Sequence, residues 1–212
     1  MKKNYLVFIL MISAHFTHAQ LIRGYGLKLG ATISNQYWEY SPSSRFEMEF
    51  ENRVGFNVGL FAEFFNIPTF SIVTEVNYVQ KGMKKEVVIR TVFQPEGNGE
   101  YATWDTRIDY LNLSSLGKIR LDFDIIRPYI VIGPKFDINI KYKSTLGTAE
   151  SIEESYNNNR VGYKMGIGTE IQLTSFNLLL EILYDSDFNE LFKNQHLEIT
   201  SNSIEVRCGL MF

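Results

Sequence analysis

Alternation of apolar and polar side chains dominates the sequence from about residue 24 to the carboxy terminus. The last ten residues show it most simply. There Ile204, Val206, Cys208, Leu210 and Phe212 occupy every second position, and the residues between them are polar, small or, once, methionine. Because successive side chains of a β-strand point to opposite faces, this period of two predicts a strand with one apolar and one largely polar face.

The same pattern occurs seven more times along the chain. The predicted strands cover residues 24–33, 54–64, 70–80, 108–121, 130–140, 161–173, 176–185 and 203–212, and Pro134 predicts a bulge in the fifth. The connections after the first, third, fifth and seventh strands are long, at residues 34–53, 81–107, 141–160 and 186–202, whereas the others are short. An even strand number with this asymmetry predicts an all-β fold, an eight-stranded antiparallel transmembrane β-barrel with short periplasmic turns and long extracellular loops.

The composition of the two strand faces indicates which one lies inside. One face carries Leu, Ile, Val and Phe with almost no charge, and the other combines glycine with isolated charges. An eight-stranded barrel has an interior that side chains fill, and nearly balanced signs allow each enclosed charge to find a partner. The predicted lumen charge network consists of Lys28, Glu63, Glu75, Lys118, Arg120, Lys135, Asp137, Lys164, Glu170, Glu181, Glu205 and Arg207. A soluble periplasmic lipocalin-like carrier, with the apolar face lining a cavity, is the alternative.

The amino terminus predicts export from the cytoplasm. Two lysines precede a short apolar run, and Thr17 and Ala19 are small residues placed for cleavage before Gln20. This composition predicts a cleaved signal peptide over residues 1–19 and a mature barrel domain over residues 20–212. Since no later segment approaches the roughly 18 apolar residues of a transmembrane helix, the chain is expected to cross the cell outer membrane as strands.

Composition argues against several kinds of site. The net charge of -3 does not suggest a nucleic-acid partner, and Cys208 as the only cysteine excludes an intramolecular disulfide or a cysteine-based metal site.

An omptin-like protease would need His196 together with Asp185 or Asp187 at the rim, but such enzymes have larger barrels. Eight strands also leave no aqueous channel. We therefore predict no catalytic residue, no cofactor and no metal.

The predicted loops contain the candidate binding residues. Phe46, Met48 and Phe50 continue the alternation of the second strand, and Val87 and Ile89 extend the region beyond the third. This predicts a ribbon of the second and third strands above the membrane, whose edge could pair with a partner strand. A flexible polar loop is the alternative. The candidate surface-binding residues are Tyr37, Trp38, Tyr40, Phe46 and Phe50. The first three could instead belong to an upper aromatic girdle.

Several short motifs resemble those of the small outer-membrane β-barrel family of Bacteroidota-type bacteria, the PorT-like family. They are YGLKLG at residues 25–30, EVNYVQKG at residues 75–82, DYLNL at residues 109–113, RPY at residues 127–129, GP at residues 133–134 and the closing Phe212. The resemblance implies an outer-membrane barrel with a role in protein secretion or surface assembly. The terminal Phe212 also resembles the signal that the barrel-assembly machinery reads, which implies a role in assembly.

The sequence thus predicts a monomeric, non-enzymatic outer-membrane barrel that acts as a structural or partner-binding component. Its expected partners are outer-membrane lipid, the barrel-assembly machinery and a protein bound through the extracellular loops. A surface adhesin or ligand-binding barrel is the alternative function.

Overall fold

The computed structural model describes residues 22–40, 50–65, 67–88, 101–145, 157–193 and 197–212, which form a closed antiparallel barrel. The strands are β1 (Ile22–Tyr40), β2 (Glu51–Phe64), β3 (Phe70–Val88), β4 (Tyr101–Arg120), β5 (Ile126–Ser144), β6 (Asn159–Gln172), β7 (Asn177–Asp187), β8 (Phe192–Lys193) and β9 (Leu197–Met211). No helix in these ranges is long and apolar enough to span a membrane. The predicted signal peptide lies outside the described residues.

Pairing between the first and last strands closes the wall. β1 pairs with β2 on one side and with β9 on the other, from Gly26↔Met211 to Tyr40↔Leu197. Phe212 extends this seam, because its amide donates to the Tyr25 carbonyl at 2.8 Å. Closure leaves no free sheet edge in the membrane, where an unpaired backbone would be costly. The short β8 pairs only with β9, above the point where β7 ends, so the wall itself has the predicted eight strands.

The apolar side chains lie on the outside of this wall and the charges lie inside. Leu60 is 68% exposed and Ile167 is 62% exposed, whereas the charged side chains of the opposite face are buried. Neighbouring strands align their apolar side chains in rows across the wall. One row runs over four strands, from Ile119 through Ile130 and Ile167 to Ile182. An apolar outer belt is what lipid contact requires. The lipocalin-like alternative, which needs the reverse arrangement, is therefore wrong.

The wall extends beyond the predicted strand ends on the side of the long connections. β1, β3, β4 and β5 each have 19 or 20 residues, about twice the length that a tilted strand needs to cross the hydrocarbon core. β3 does project above the membrane, and its upper residues pair with β4 up to Val88↔Tyr101. Its pairing with β2 reaches Glu51↔Lys84. Residues 41–49, which would form the rest of the predicted ribbon, lie outside the described residues.

The predicted bulge at Pro134 is also wrong. The β5–β6 register runs unchanged past Pro134, and β4–β5 pairing resumes in the same register at Gly117↔Ile132. Pro134 lacks one ladder donor but no extra residue is inserted. The irregularity lies higher, where Asp109 pairs with Lys141 and Tyr110 pairs with Asn139. The extra residue reverses the faces of β5 above this point and turns Tyr142 toward the interior.

The outer apolar belt ends at a common level on adjacent strands. On β1 and β9 the first polar outward residues are Asn35 and Asn202, which face each other in the ladder. Above this level the outward positions are polar, as at Glu198, and inward positions such as Trp38 and Ile199 are apolar. The upper wall is thus built like a soluble β-structure, with its apolar side chains inside.

Candidate functional site

The interior contains three layers of ion pairs, and the lower layer lies nearest the short turns. Glu63 contacts Arg23 at 2.6 Å, Arg120 at 2.8 Å and Lys118 at 3.1 Å. Glu170 contacts the same Arg23 at 2.7 Å and Lys118 at 3.1 Å. Each carboxylate therefore binds at least two cations that it shares with the other, and this satisfies charges that burial alone would destabilise.

The middle layer is a closed ring of opposite charges. Lys28 lies 2.7 Å from Glu75 and 2.8 Å from Glu181, and Arg207 lies 2.8 Å and 2.6 Å from the same two carboxylates. The Tyr129 hydroxyl donates a hydrogen bond of 2.8 Å to Glu181. The full layer consists of Lys28, Lys164, Arg207, Glu75, Glu181 and Glu205, with Lys164 joined to Glu205 at 2.9 Å. Three positive groups balance three negative ones.

The upper layer pairs three aspartates with cations of the chain. Lys135 contacts Asp137 at 2.8 Å and Asp187 at 2.6 Å, and it also contacts Asp185. Lys81 bridges Asp137 at 3.0 Å and Asp185 at 2.9 Å. These five side chains are inside the wall and shielded from solvent. Their positions continue the inward faces of β3, β5 and β7.

The three aspartates also have a spacing that could hold a metal ion, since one carboxylate oxygen from each lies within 4.8 Å of the others. However, Lys81 and Lys135 contact these carboxylates directly, and the Arg160 guanidinium pairs with Asp187. The three cations already neutralise the three acids. The residues therefore fit an ion-pair layer better than a divalent-cation site.

An apolar group, the outer cluster, occupies the interior above the upper layer. Trp38, Phe50 and Trp104 form mutual ring contacts, with centroids 5.2–5.7 Å apart. The buried members are Trp38, Phe50, Met83, Ile108, Tyr110, Leu191, Phe192, Leu197 and Ile199, with Tyr40, Trp104 and Tyr142 packed against them. The cluster joins side chains from β1, β3, β4, β8 and β9 and from the segments beside them, so it fixes the upper wall above the membrane.

Residues 18–193 match the sequence model of an outer membrane protein beta-barrel domain. The chain belongs to this outer-membrane barrel family. Its place is the outer membrane, where the belt of apolar side chains contacts lipid.

Several solved barrels are similar to this family member in fold. Neisserial surface protein A is 11% identical, with a TM-score of 0.45 and coverage of 89% of this chain and 97% of that chain. Ail of Yersinia pestis, solved with the heparin analogue sucrose octasulfate, is 12% identical with a TM-score of 0.38, covering 89% and 98%. Outer membrane protein W of E. coli is 11% identical with a TM-score of 0.37, covering 87% and 99%. No curated protein sequence matches the chain.

In this barrel the twelve residues named from the sequence as a lumen network all have buried side chains. Each of them also makes at least one ion pair, within or between the layers. Lys81 and Arg160 were missed, although each continues the inward face of its strand only two residues past the last predicted inward position. Arg23 was missed because it turns inward at a register shift between Ile22 and Gly24, which no sequence pattern indicates.

The candidate surface patch is largely wrong. Trp38 and Phe50 are only 5% and 8% exposed, because both point into the outer cluster, and Tyr40 packs against it. Tyr37 is 49% exposed and faces outward. Phe46 lies outside the described residues. The even-numbered positions of β1 face inward from Gly24 upward, so a longer predicted β1 would have placed Trp38 inside.

The acids considered for rim catalysis lie inside the barrel. Asp185 and Asp187 belong to the upper layer and are bound to lysine and arginine side chains. His196 lies outside the described residues. Phe212 lies at the lower end of the β1–β9 seam with its ring exposed toward lipid, where its backbone pairs with Tyr25.

Proposed function

We propose that this outer-membrane barrel is a non-enzymatic structural or partner-binding component that conducts no solute. The observation that carries the proposal is the filled interior: among the described residues, the lumen charges are bound to one another and the outer cluster lies above them. A catalytic acid or base must reach its substrate, and a pore needs water along its axis. Groups engaged in buried ion pairs serve neither purpose.

Reconstitution in planar bilayers tests the absence of a pore. The expected result is no conductance step above the baseline of an empty membrane. The Trp38→Ala/Ile199→Ala variant, which removes part of the outer cluster, is expected to be equally silent because the three ion-pair layers still fill the lumen. Discrete conductance steps from the folded wild-type barrel would contradict the proposal.

We further propose that the partner is a protein of a secretion or surface-assembly system, in keeping with the resemblance to the PorT-like family. The support from the structure is the upper wall, which the outer cluster turns into an ordered platform outside the membrane. Deletion of the gene is expected to reduce the amount of secreted proteins on the cell surface while other outer-membrane barrels are unaffected. Normal secretion in the deletion strain would contradict this role. We also propose that the barrel is a monomer. Its insertion into the outer membrane depends on the barrel-assembly machinery.

A surface adhesin is the second candidate, favoured by exposed aromatic side chains on the outside of the upper wall. Tyr37 and Tyr101 are the relevant residues, and both face outward above the lipid belt. If adhesion is the function, Tyr37→Ser/Tyr101→Ser should reduce cell attachment and leave secretion intact. Tyr25→Ser, an equally exposed tyrosine within the lipid belt, is the matched control and should not affect attachment.

A further inference from the structure

The outer rim of the barrel is charged unevenly around its circumference. On β3, β4 and β5 the charged outward positions above Tyr78 are four cations and three acids. They are Lys84, Arg107, Lys141, Lys143, Glu86, Asp105 and Asp109. On the opposite side, the outward positions of β1 and β9 are Glu39 and Glu198 among neutral residues, and Lys193 is paired with Glu190 and Glu198 at 2.9 Å. One side of the rim is therefore basic and the other is neutral to acidic.

The basic side contains a pocket of about 520 Å³ between β2, β4 and the upper end of β5. Its charged lining residues are Arg53, Arg107, Lys143 and Asp105, and Thr145 adds a hydroxyl. Asp109, just outside the lining, binds Arg107 through Nε at 2.7 Å and through Nη2 at 2.8 Å. Three positive groups therefore face two negative ones, and the pocket has a net charge of +1. Among the ion pairs of the described residues, none involves Lys143.

Arg53 supplies a second, independent observation. Its side chain reaches across the wall to Asp105, with Nε 2.8 Å from Oδ1, and the residue is only 9% exposed. Within the described part of the chain, Nη1 is buried and has no hydrogen-bond partner. Gly82 makes room for this path: it adopts φ = 152°, and a Cβ there would lie 3.0 Å from Arg53 Cδ and 1.9 Å from the Thr106 carbonyl oxygen. A buried guanidinium with an unused donor is a group that an anion would satisfy.

The level of the pocket relative to the membrane indicates which anion it binds. Arg107 donates to the Tyr78 hydroxyl at 3.1 Å and binds Asp109 through Nε at 2.7 Å. The Tyr78 ring packs against Phe56, with centroids 5.5 Å apart, and Phe56 belongs to the lipid-facing belt. Tyrosine at this position marks the boundary between hydrocarbon and headgroups. The pocket begins directly above that boundary, at the level of the phosphates of the outer leaflet.

We propose that this pocket binds a phosphate group in the headgroup of an outer-leaflet lipid. Arg53 donates through its unused Nη1, Arg107 donates through the Nη1 that its bonds to Asp109 leave over, and Lys143 adds a compact charge. A phosphate would supply the negative charge that balances the excess positive charge of the pocket. A lipid is a better occupant than a free anion because its acyl chains continue downward over the apolar belt beside Phe56.

The experiment measures binding of diphosphorylated lipid A to the purified full barrel in dodecyl maltoside, a detergent without phosphate, by native mass spectrometry. The variants are Lys143→Gln and Arg107→Gln/Lys143→Gln, and Lys193→Gln on the opposite side of the rim is the matched control. Each charge removed should weaken binding about fivefold, so the double variant should bind about 25-fold more weakly. Lys193→Gln should bind as the wild type does.

Two further probes separate a lipid phosphate from other occupants. Lipid A with both phosphates removed should bind at least about 25-fold more weakly than the intact lipid, since it lacks the group that the pocket recognises. Inorganic phosphate at the same concentration should not displace the intact lipid. Equal binding of the dephosphorylated lipid, displacement by free phosphate, or unchanged binding to Lys143→Gln would each overturn the proposal. Lys143→Gln breaks no contact within the described wall, so its result does not depend on a change in folding.

Discussion

Replacing Glu75 by glutamine tests whether the lumen charges stabilise the barrel as a balanced set. Glu75 binds Lys28 at 2.7 Å and binds Arg207 through two hydrogen bonds of 2.8 and 3.1 Å. Glutamine has nearly the same shape but no charge. The middle layer would then contain three cations and two carboxylates inside a wall that excludes water.

The expected loss in the free energy of unfolding is about 3 kcal/mol. Removing one partner of a buried ion pair typically costs about 3–5 kcal/mol, because the other charge stays buried without compensation. The lower end applies here, since both Lys28 and Arg207 keep Glu181 as a partner at 2.8 and 2.6 Å.

The balance of the layer gives a sharper test. Arg207→Met alone should also destabilise the barrel, because it leaves three carboxylates with two cations. Glu75→Gln/Arg207→Met restores two of each, with Lys28 and Lys164 opposite Glu181 and Glu205. The double variant should therefore be more stable than the sum of the single losses predicts, by at least about 2 kcal/mol.

Urea titration of the barrel in phospholipid vesicles provides the measurement. Tryptophan fluorescence reports unfolding, since both tryptophans, Trp38 and Trp104, belong to the outer cluster and lose its packing on unfolding. Lys193→Gln, which changes an exposed ion pair, is the control and should leave the midpoint unchanged. A loss below about 1 kcal/mol for Glu75→Gln, or strict additivity in the double variant, would refute the reasoning.

Three further predictions concern the wall and its ends. Gly26→Ala should lower the thermal midpoint of the heat-dependent gel shift, because its Cβ would lie 1.8 Å from the Leu210 carbonyl oxygen. Gly117→Ala is the control and should leave the midpoint unchanged, since the atom nearest to its Cβ is 3.6 Å away. Ile199→Ala should loosen the outer cluster by about 2–5 kcal/mol and make the upper wall sensitive to trypsin on intact cells, unlike the exposed Thr200→Ala. Phe212→Ser should reduce the folded protein in the outer membrane, measured by fractionation, while export to the periplasm continues; equal recovery would contradict an assembly signal.

The part of the fold inside the membrane follows from the sequence because a period of two leaves little freedom. Once lipid contact assigns the apolar face of a strand to the outside, every other side chain must point inward. That rule placed Glu75, Glu170 and Arg207 in the lumen before any contact was known. It could not show which charges meet, since the pairs join strands far apart in sequence, such as Glu75 on β3 and Arg207 on β9.

The upper wall could not be derived in the same way. The sequence pattern places Trp38 and Phe50 in loops, because their surroundings lack the apolar-outside pattern of the membrane segments. The bulge in β5 between Asn139 and Lys141, which turns Tyr142 into the outer cluster, has no local signature of glycine or proline. The pairing of the upper part of β3 with β4, up to Val88↔Tyr101, depends on long-range contacts.

The outside of each strand changes from lipid to water at the membrane surface, and this change predicts which residue types lie on each face of the upper wall. On β9 the inward residues change from Leu197 and Ile199 to Glu205, while the outward residues change from Glu198 to Ile204. The face of each residue is still set by the period of two, but the solvent outside changes from water to lipid, so the preferred residue types exchange faces. A strand search that permits one such exchange would continue through the boundary instead of stopping at it. On β1 the exchange falls near Asn35, the ladder partner of Asn202, so the position of the exchange also measures the depth of the membrane surface.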